Sequence, residues 1–157
     1  VDGEILMTQN EIAIKQRYEK YNKLAKIYKS LVELINETKK SGGMTAIDYE
    51  AVRADGGVKI SIEERVLNQI EKFESLRDET LTEFFEIGNE IADGLKLLTE
   101  DEQLVIIHRH LIGTPWKEVP EKVNYSERKV ASLYGEALTK ISAAQGGKDD
   151  KTKTNQN

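Results

Sequence analysis

Proline is confined to one place in this chain. Both prolines of the 157 residues, Pro115 and Pro120, fall in a single short segment. Elsewhere nothing removes a backbone N–H donor or wedges a ring into a helical turn, so long helices can run unbroken. The apolar residues follow that licence. Thr8-Gln9-Asn10-Glu11 is a capping box, in which the Thr hydroxyl and the Glu carboxylate each satisfy a free backbone N–H. Met7 and Ile12 are placed to form a hydrophobic staple around it. Ile14, Tyr18, Tyr21, Ala25, Tyr28, Val32 and Ile35 then recur at steps of four and three, with Leu24, Ile27, Leu31 and Leu34 alongside. This spacing predicts one helix with a wide apolar face, ending near Lys40. Lys39 and Lys40 suit a helix C-terminus, and Ser41-Gly42-Gly43 stops it. Residues 1–7 are set aside as disordered or non-native, with Met7 read as the native start.

Residues 44–60 break the pattern, with a turn at Gly56-Gly57 and a short helical or extended piece at Ala46-Ile47-Asp48-Tyr49. Ser61-Ile62-Glu63-Glu64 is a second capping box and opens another long helix. Its expected core positions are Val66, Ile70, Phe73, Leu81, Phe84, Ile91, Leu95 and Leu98. Gly88 and Gly94 interrupt it, each costing about 1 kcal/mol against Ala in a helix interior. They mark either a close helix crossing or a weak, bent last third. Two such helices joined by a loop fold back as an antiparallel pair. A single pair leaves its faces partly uncovered, so residues 8–98 are expected to pack on the C-terminal part, on a second copy (a homo-oligomer, with a dimer as the simplest case), or on both.

Thr99-Glu100-Asp101-Glu102 is a third capping box. The helix it opens carries Leu104, Ile107, His108 and Leu111 at one-face spacing and ends at Gly113. Thr114-Pro115 is read as the start of a second helix, with Thr as cap and Pro at the first helical position. Trp116, Val119 and Val123 are expected to point inward, Trp116 as a core anchor. Asn124 suits a left-handed turn. Ser126 caps a third helix whose inner face is Val130, Leu133 or Tyr134, Ala137, Leu138 and Ile141. The polar stretch 143–157 is read as a disordered tail.

The order short helix, tight turn, helix is that of a helix-turn-helix over residues 99–142, in which the last helix is free to enter the major groove. With the inner face assigned, Glu127, Arg128, Ala131, Ser132 and Gly135 point outward. Arg128 is suited to the acceptors of a guanine and Glu127 to a cytosine amino group. Lys129 and Lys117 are better placed for phosphates, and the helix N-terminus at Ser126 offers N–H groups to one. Ala131, Ser132 and Gly135 are small enough to let the helix backbone approach closely.

At this point the sequence resembles a family. Leu98-Thr99-Glu100-Asp101-Glu102-Gln103, Ile112-Gly113, Glu118-Val119, Tyr125-Ser126-Glu127-Arg128-Lys129-Val130 and Ala137-Leu138 resemble region 4 of the sigma-70 factors. With Ile47-Asp48-Tyr49 and Gly56-Gly57 ahead of a capped long helix, the whole is similar to the small phage and prophage regulators of the ArpU- and RinA-like type, late transcriptional activators. The resemblance implies an all-α chain, a long antiparallel helical hairpin followed by a sigma-70 region 4-like helix-turn-helix. It also implies transcription control from a mobile element, by an activator of phage late genes with double-stranded DNA as partner, while contact with host RNA polymerase or dimerisation is expected from the charge balance of residues 99–142. Pro120 departs from the pattern, since the family usually has a small residue there. A proline inside a helix costs about 3 kcal/mol, so the second helix is expected to kink or end early. Ala131 and Ser132 replace longer polar residues.

Two other readings stand beside this one. A region-4-like domain can dock on RNA polymerase and scarcely touch DNA. Small terminase subunits, which package phage DNA, also join such a domain to oligomerising helices. The charge balance bears on the choice. The chain carries a formal net charge of −5, and residues 99–142 hold six Lys and Arg against seven Asp and Glu. Phosphate contacts need local positive charge, so one copy alone is expected to bind DNA weakly. Catalysis is not expected. There is no nucleophile–base pair, no glycine-rich phosphate loop and no cysteine, and His108 and His110 stand two apart on a helix, poor spacing for a shared metal. No cofactor and no small-molecule substrate are implied. No apolar stretch approaches the roughly 20 residues of a membrane span, and no signal peptide is evident, so a cytoplasmic location with no membrane partner is expected.

Overall fold

The computed structural model of the chain describes residues 8–40 and 61–154, with side chains described as far as Gln145. The expected staple through Met7, the glycine stop at 41–43, the short piece at 46–49 and the turn at 56–57 lie outside the described residues. Every regular element among the described residues is helical, as an all-α fold requires. No helix of the described residues is long and apolar enough to cross a membrane.

Helix α1 spans Gln9–Lys40 and α2 spans Ile62–Leu95. The box that opens α1 forms in full, and at α2 the Ser61 half of the box forms. Glu11 N–H donates to Thr8 Oγ1 at 3.2 Å, and Thr8 N–H donates to the Glu11 carboxylate at 3.3 Å. At α2, Glu64 N–H donates to Ser61 Oγ at 3.1 Å. The helix α3 spans Glu100–Ile106 and passes directly into a π-helical turn, Ile107–Ile112. A short α4, Val119–Val123, precedes α5, Glu127–Thr154. The sequence reading ends α5 at Ser142. In the structure it runs on through 143–154, where no proline stands in its way.

Contacts divide the chain into two compact units, residues 23–85 and residues 1–22 with 86–157. In the first of these units, Ile35, Val66 and Ile70 form a core with Ile62 and Phe73 against it. Thr38 and Thr80 are buried there unexpectedly. Each hydroxyl donates to the carbonyl four residues back, Leu34 at 2.7 Å and Leu76 at 2.8 Å, so burial leaves neither unpaired. Ile27 and Leu34, expected to be covered, are exposed, as are Leu67, Leu76 and Phe85.

The other unit has two cores. Ile14, Tyr18, Ile91, Leu98, Ile106, Ala137, Leu138 and Ile141 make the larger one. Val105, Val119, Val123, Val130 and Leu133 make the second, and Tyr134 packs against both. The close-crossing reading holds for Gly88. A Cβ there would stand 3.1 Å from Tyr21 Cε2, tighter than ordinary contact. A Cβ at Gly94 would meet only the Ile141 side chain, at an ordinary 3.7 Å.

The passage from α2 into α3 is short and internally bonded. Leu98 is buried, and Gln103 Nε2 donates to the Leu95 carbonyl at 2.7 Å, satisfying one of the free acceptors at the end of α2. Thr99 and Glu102 form their box in full: Glu102 N–H to Thr99 Oγ1 at 3.2 Å and Thr99 N–H to Glu102 Oε1 at 2.9 Å.

Candidate nucleic-acid interface

The face expected on α3 is corrected by the π-helical turn. Glu102, Val105 and Ile106 are buried, while Leu104 is 42% exposed. Continuing the α-helical register from Val105 and Ile106 would turn Arg109 and then Gly113 toward the core. One extra residue in the turn brings His110 and Leu111 round instead, and Leu111 packs on the larger core. The turn closes at Gly113, in the left-handed region at φ 88°, where the Gly113 and Thr114 N–H groups both donate to the His108 carbonyl, at 3.1 and 2.8 Å.

The second helix begins later than expected. Residues after Thr114 make a turn, with the Glu118 and Val119 N–H groups donating to the Pro115 carbonyl at 2.9 and 3.2 Å. Helix α4 starts at Val119, so Pro115 is not its first residue and Thr114 is not its cap. Pro120 consequently sits in the first turn of α4, where a missing N–H costs nothing, and the expected kink does not arise. Trp116 is also corrected. It is 39% exposed and lies edge-on to Tyr134, with ring centroids 4.8 Å apart and the Arg109 guanidinium 4.9 Å from its centroid. Asn124 takes the left-handed conformation the turn requires, φ 61° and ψ 44°.

Helix α5 presents the candidate interface. Ser126 Oγ accepts from Lys129 N–H at 3.1 Å. Val130, Leu133, Ala137, Leu138 and Ile141 are buried. Lys117, Ser126, Glu127, Arg128, Lys129, Ala131, Ser132 and Gly135 are all exposed. On the helical wheel Arg128, Ser132, Gly135 and Thr139 stand directly opposite the buried row. Glu127 and Ala131 flank that row on one side and Lys129 on the other, while Lys117 lies on the turn before α4. Thr139 was not singled out in the sequence, though the same i, i+4, i+7, i+11 spacing points to it.

Two ionisable side chains behind this face, Glu102 of the third capping box and His110, have partners that the sequence did not reveal. Glu102 is fully buried, and its Oε1 accepts from Lys140 Nζ of α5 at 2.6 Å. Burial alone would raise its pKa. The Lys140 and Thr99 hydrogen bonds outweigh that and hold the carboxyl below its ordinary value. His110 stacks on Tyr18, centroids 4.9 Å apart and planes within 8°, and its Nε2 lies 3.0 Å from the Tyr134 hydroxyl. Burial, reinforced by Arg109 and Lys15, pushes the His110 pKa down to about 4. Burial pushes the Tyr18 and Tyr134 hydroxyls up to about 12.

The His110 environment makes stability pH-dependent. Above pH 6.5 the imidazole is neutral folded and unfolded, and nothing is lost. Between pH 6.5 and about 4 the unfolded chain takes up a proton that the folded chain refuses, so stability falls with pH through that window. Urea melts at pH 7 and pH 5 should show this loss in the native chain, and a smaller one in His110→Gln. Equal losses would place the proton uptake elsewhere.

No protein family, curated protein or solved structure matches the chain.

Proposed function

We propose that the chain is a sequence-specific regulator of transcription that binds double-stranded DNA, built as a long antiparallel helical hairpin followed by a sigma-70 region 4-like helix-turn-helix. The observation that carries this reading is the first half of α5. It follows a left-handed Asn124, its inner row is buried, and its outer row is open from Arg128 to Thr139. Such a helix fits the major groove. Arg128 is the guanine reader, Glu127 the cytosine reader, Lys129 and Lys117 the phosphate contacts, and the N-terminus of α5 a further phosphate donor. The near-balance of charge in residues 99–142 calls for help from a second copy or from RNA polymerase, as an activator of phage late genes would have.

The test is selection of duplexes from a random pool at low salt, followed by titration of the recovered sequence. Enrichment of one sequence with nanomolar-range, salt-sensitive binding is expected. Failure to bind any duplex at low salt would overturn the reading.

Gly135 supplies a sharper check. Nothing lies within 4 Å of a Cβ built on it, so neither packing nor backbone conformation requires glycine there. Gly135→Ala should stabilise the free protein by about 1 kcal/mol. The same methyl should weaken duplex binding if the helix backbone approaches DNA at this point. A variant that is more stable and binds equally well would show that no such approach is made.

A second reading has its own support. Leu104 is 42% and Ile112 is 64% exposed, apolar surface of the kind that docks on protein. In that reading the unit docks on RNA polymerase with little DNA contact, and polymerase capture would survive the loss of both Arg128 and Lys129.

A further inference from the structure

Tyr134 is the residue of α5 on which separate contacts converge. Its ring meets Trp116 edge-on, its hydroxyl faces His110 Nε2, and the Lys15 ammonium lies 5.6 Å from its centroid. His110 in turn is held from α1 in two ways, by the Tyr18 ring stacked on it and by Asn22 Nδ2 donating to its carbonyl. His110 reaches this place only because the Ile107–Ile112 turn is π-helical. In an α-helical turn its ring would point about 100° away, and the stack and the hydroxyl contact would both be lost.

We propose that Tyr18 and Asn22 of α1 and His110 of the π-helical turn are positioning residues for the DNA-reading face, acting through Tyr134. This rests on the DNA-binding reading above. Tyr134 lies on α5 between Ser132 and Gly135, about one turn from Ala131 and nearly two from Arg128, so a shift of its ring carries the outer row with it. The contact selects one register of the turn and one setting of α5. Losing it costs base discrimination while leaving phosphate attraction, which is set by Lys117, Lys129 and the helix N-terminus.

The test uses the full chain and its single tryptophan. Trp116 touches Tyr134 and Arg109, so its emission reports the setting of Tyr134 without any DNA present. Tyr18 is in the core, and its replacement risks unfolding, so Tyr134→Phe and Asn22→Ala are the variants of choice. Tyr134→Phe keeps the ring and removes only the hydroxyl. Asn22→Ala removes only the hold on the His110 carbonyl. Both should keep a cooperative thermal transition and shift Trp116 emission. Both should also lower the ratio of selected-duplex to random-duplex affinity about fivefold, with random-duplex affinity unchanged. Native Trp116 emission and a native affinity ratio in both variants would overturn the proposal. So would an equal loss on selected and random duplexes, which marks a merely structural role. Should the native chain bind no duplex, the DNA reading fails by itself, and unshifted Trp116 emission still refutes the coupling on its own.

Discussion

Replacing Glu102 by alanine is expected to lower stability by about 2–4 kcal/mol, the largest loss foreseen for any single polar side chain here. The carboxylate is fully buried, closes the Thr99 box and holds Lys140 of α5. Its removal frees the Thr99 N–H, strips Lys140 of its partner and leaves a void. Lys140 is 43% exposed and regains water, which keeps the loss below that of a fully buried pair. Glu102→Gln retains an acceptor of the same shape and should cost about 1–2 kcal/mol. The native contribution is pH-dependent with a definite sign. Because the folded carboxyl titrates below its ordinary value of 4.5, its stabilisation is complete above that pH and is lost as pH falls below it. Chemical denaturation of the three proteins at neutral pH and near pH 3 checks both statements. An alanine variant as stable as the native chain would remove Glu102 from the account of how α3 and α5 are joined.

Arg128→Ala is expected to weaken binding to the selected duplex by about 1–3 kcal/mol, and most of that loss should vanish when the guanine it reads is changed. Lys129→Ala should behave differently. A phosphate contact carries no sequence information, so affinity should fall on every duplex and the salt dependence should flatten by about one unit of slope. Fluorescence anisotropy over a salt series on matched and mismatched duplexes separates the two. Equal losses from both variants on all duplexes would leave α5 a charged surface rather than a reader of bases.

Part of this architecture is written locally in the chain, and that part was readable. The boxes at Thr8, Ser61 and Thr99 need only residues three apart. Gly113 and Asn124 are among the few residue types that tolerate the left-handed conformation they adopt. The outer row of α5 follows once Val130 and Ala137 are recognised as inner. What could not be read depends on residues far apart. The π-helical turn stands where an α-helical register would send Arg109 inward, and it brings Leu111 onto the core around Ile14 and Tyr18, residues far away in the sequence. Leu104 looked like core because helical spacing marks two faces on that segment, and packing chose the other. Lys140 lies 38 residues from Glu102, and no pattern in the sequence joins them. Trp116 was misplaced for a related reason. Its turn ends before α4 begins, so helical periodicity did not apply to it.

The larger core has a consequence for how this protein can be handled and how it can change. Ile106, Ala137, Leu138 and Ile141 share their core with two earlier parts of the chain, Ile14 and Tyr18 of α1 and Ile91 and Leu98 farther on. A fragment cut at Thr99 would bare all four, and burying each large aliphatic side chain is worth about 1.5–3 kcal/mol. The unit proposed to read DNA is therefore not a portable cassette. A protease or a recombination event that separates it from the opening turns of the first helix yields something that does not hold its shape. Any exchange between related chains must carry residues 8–22 and residues 86–142 together to carry the site at all.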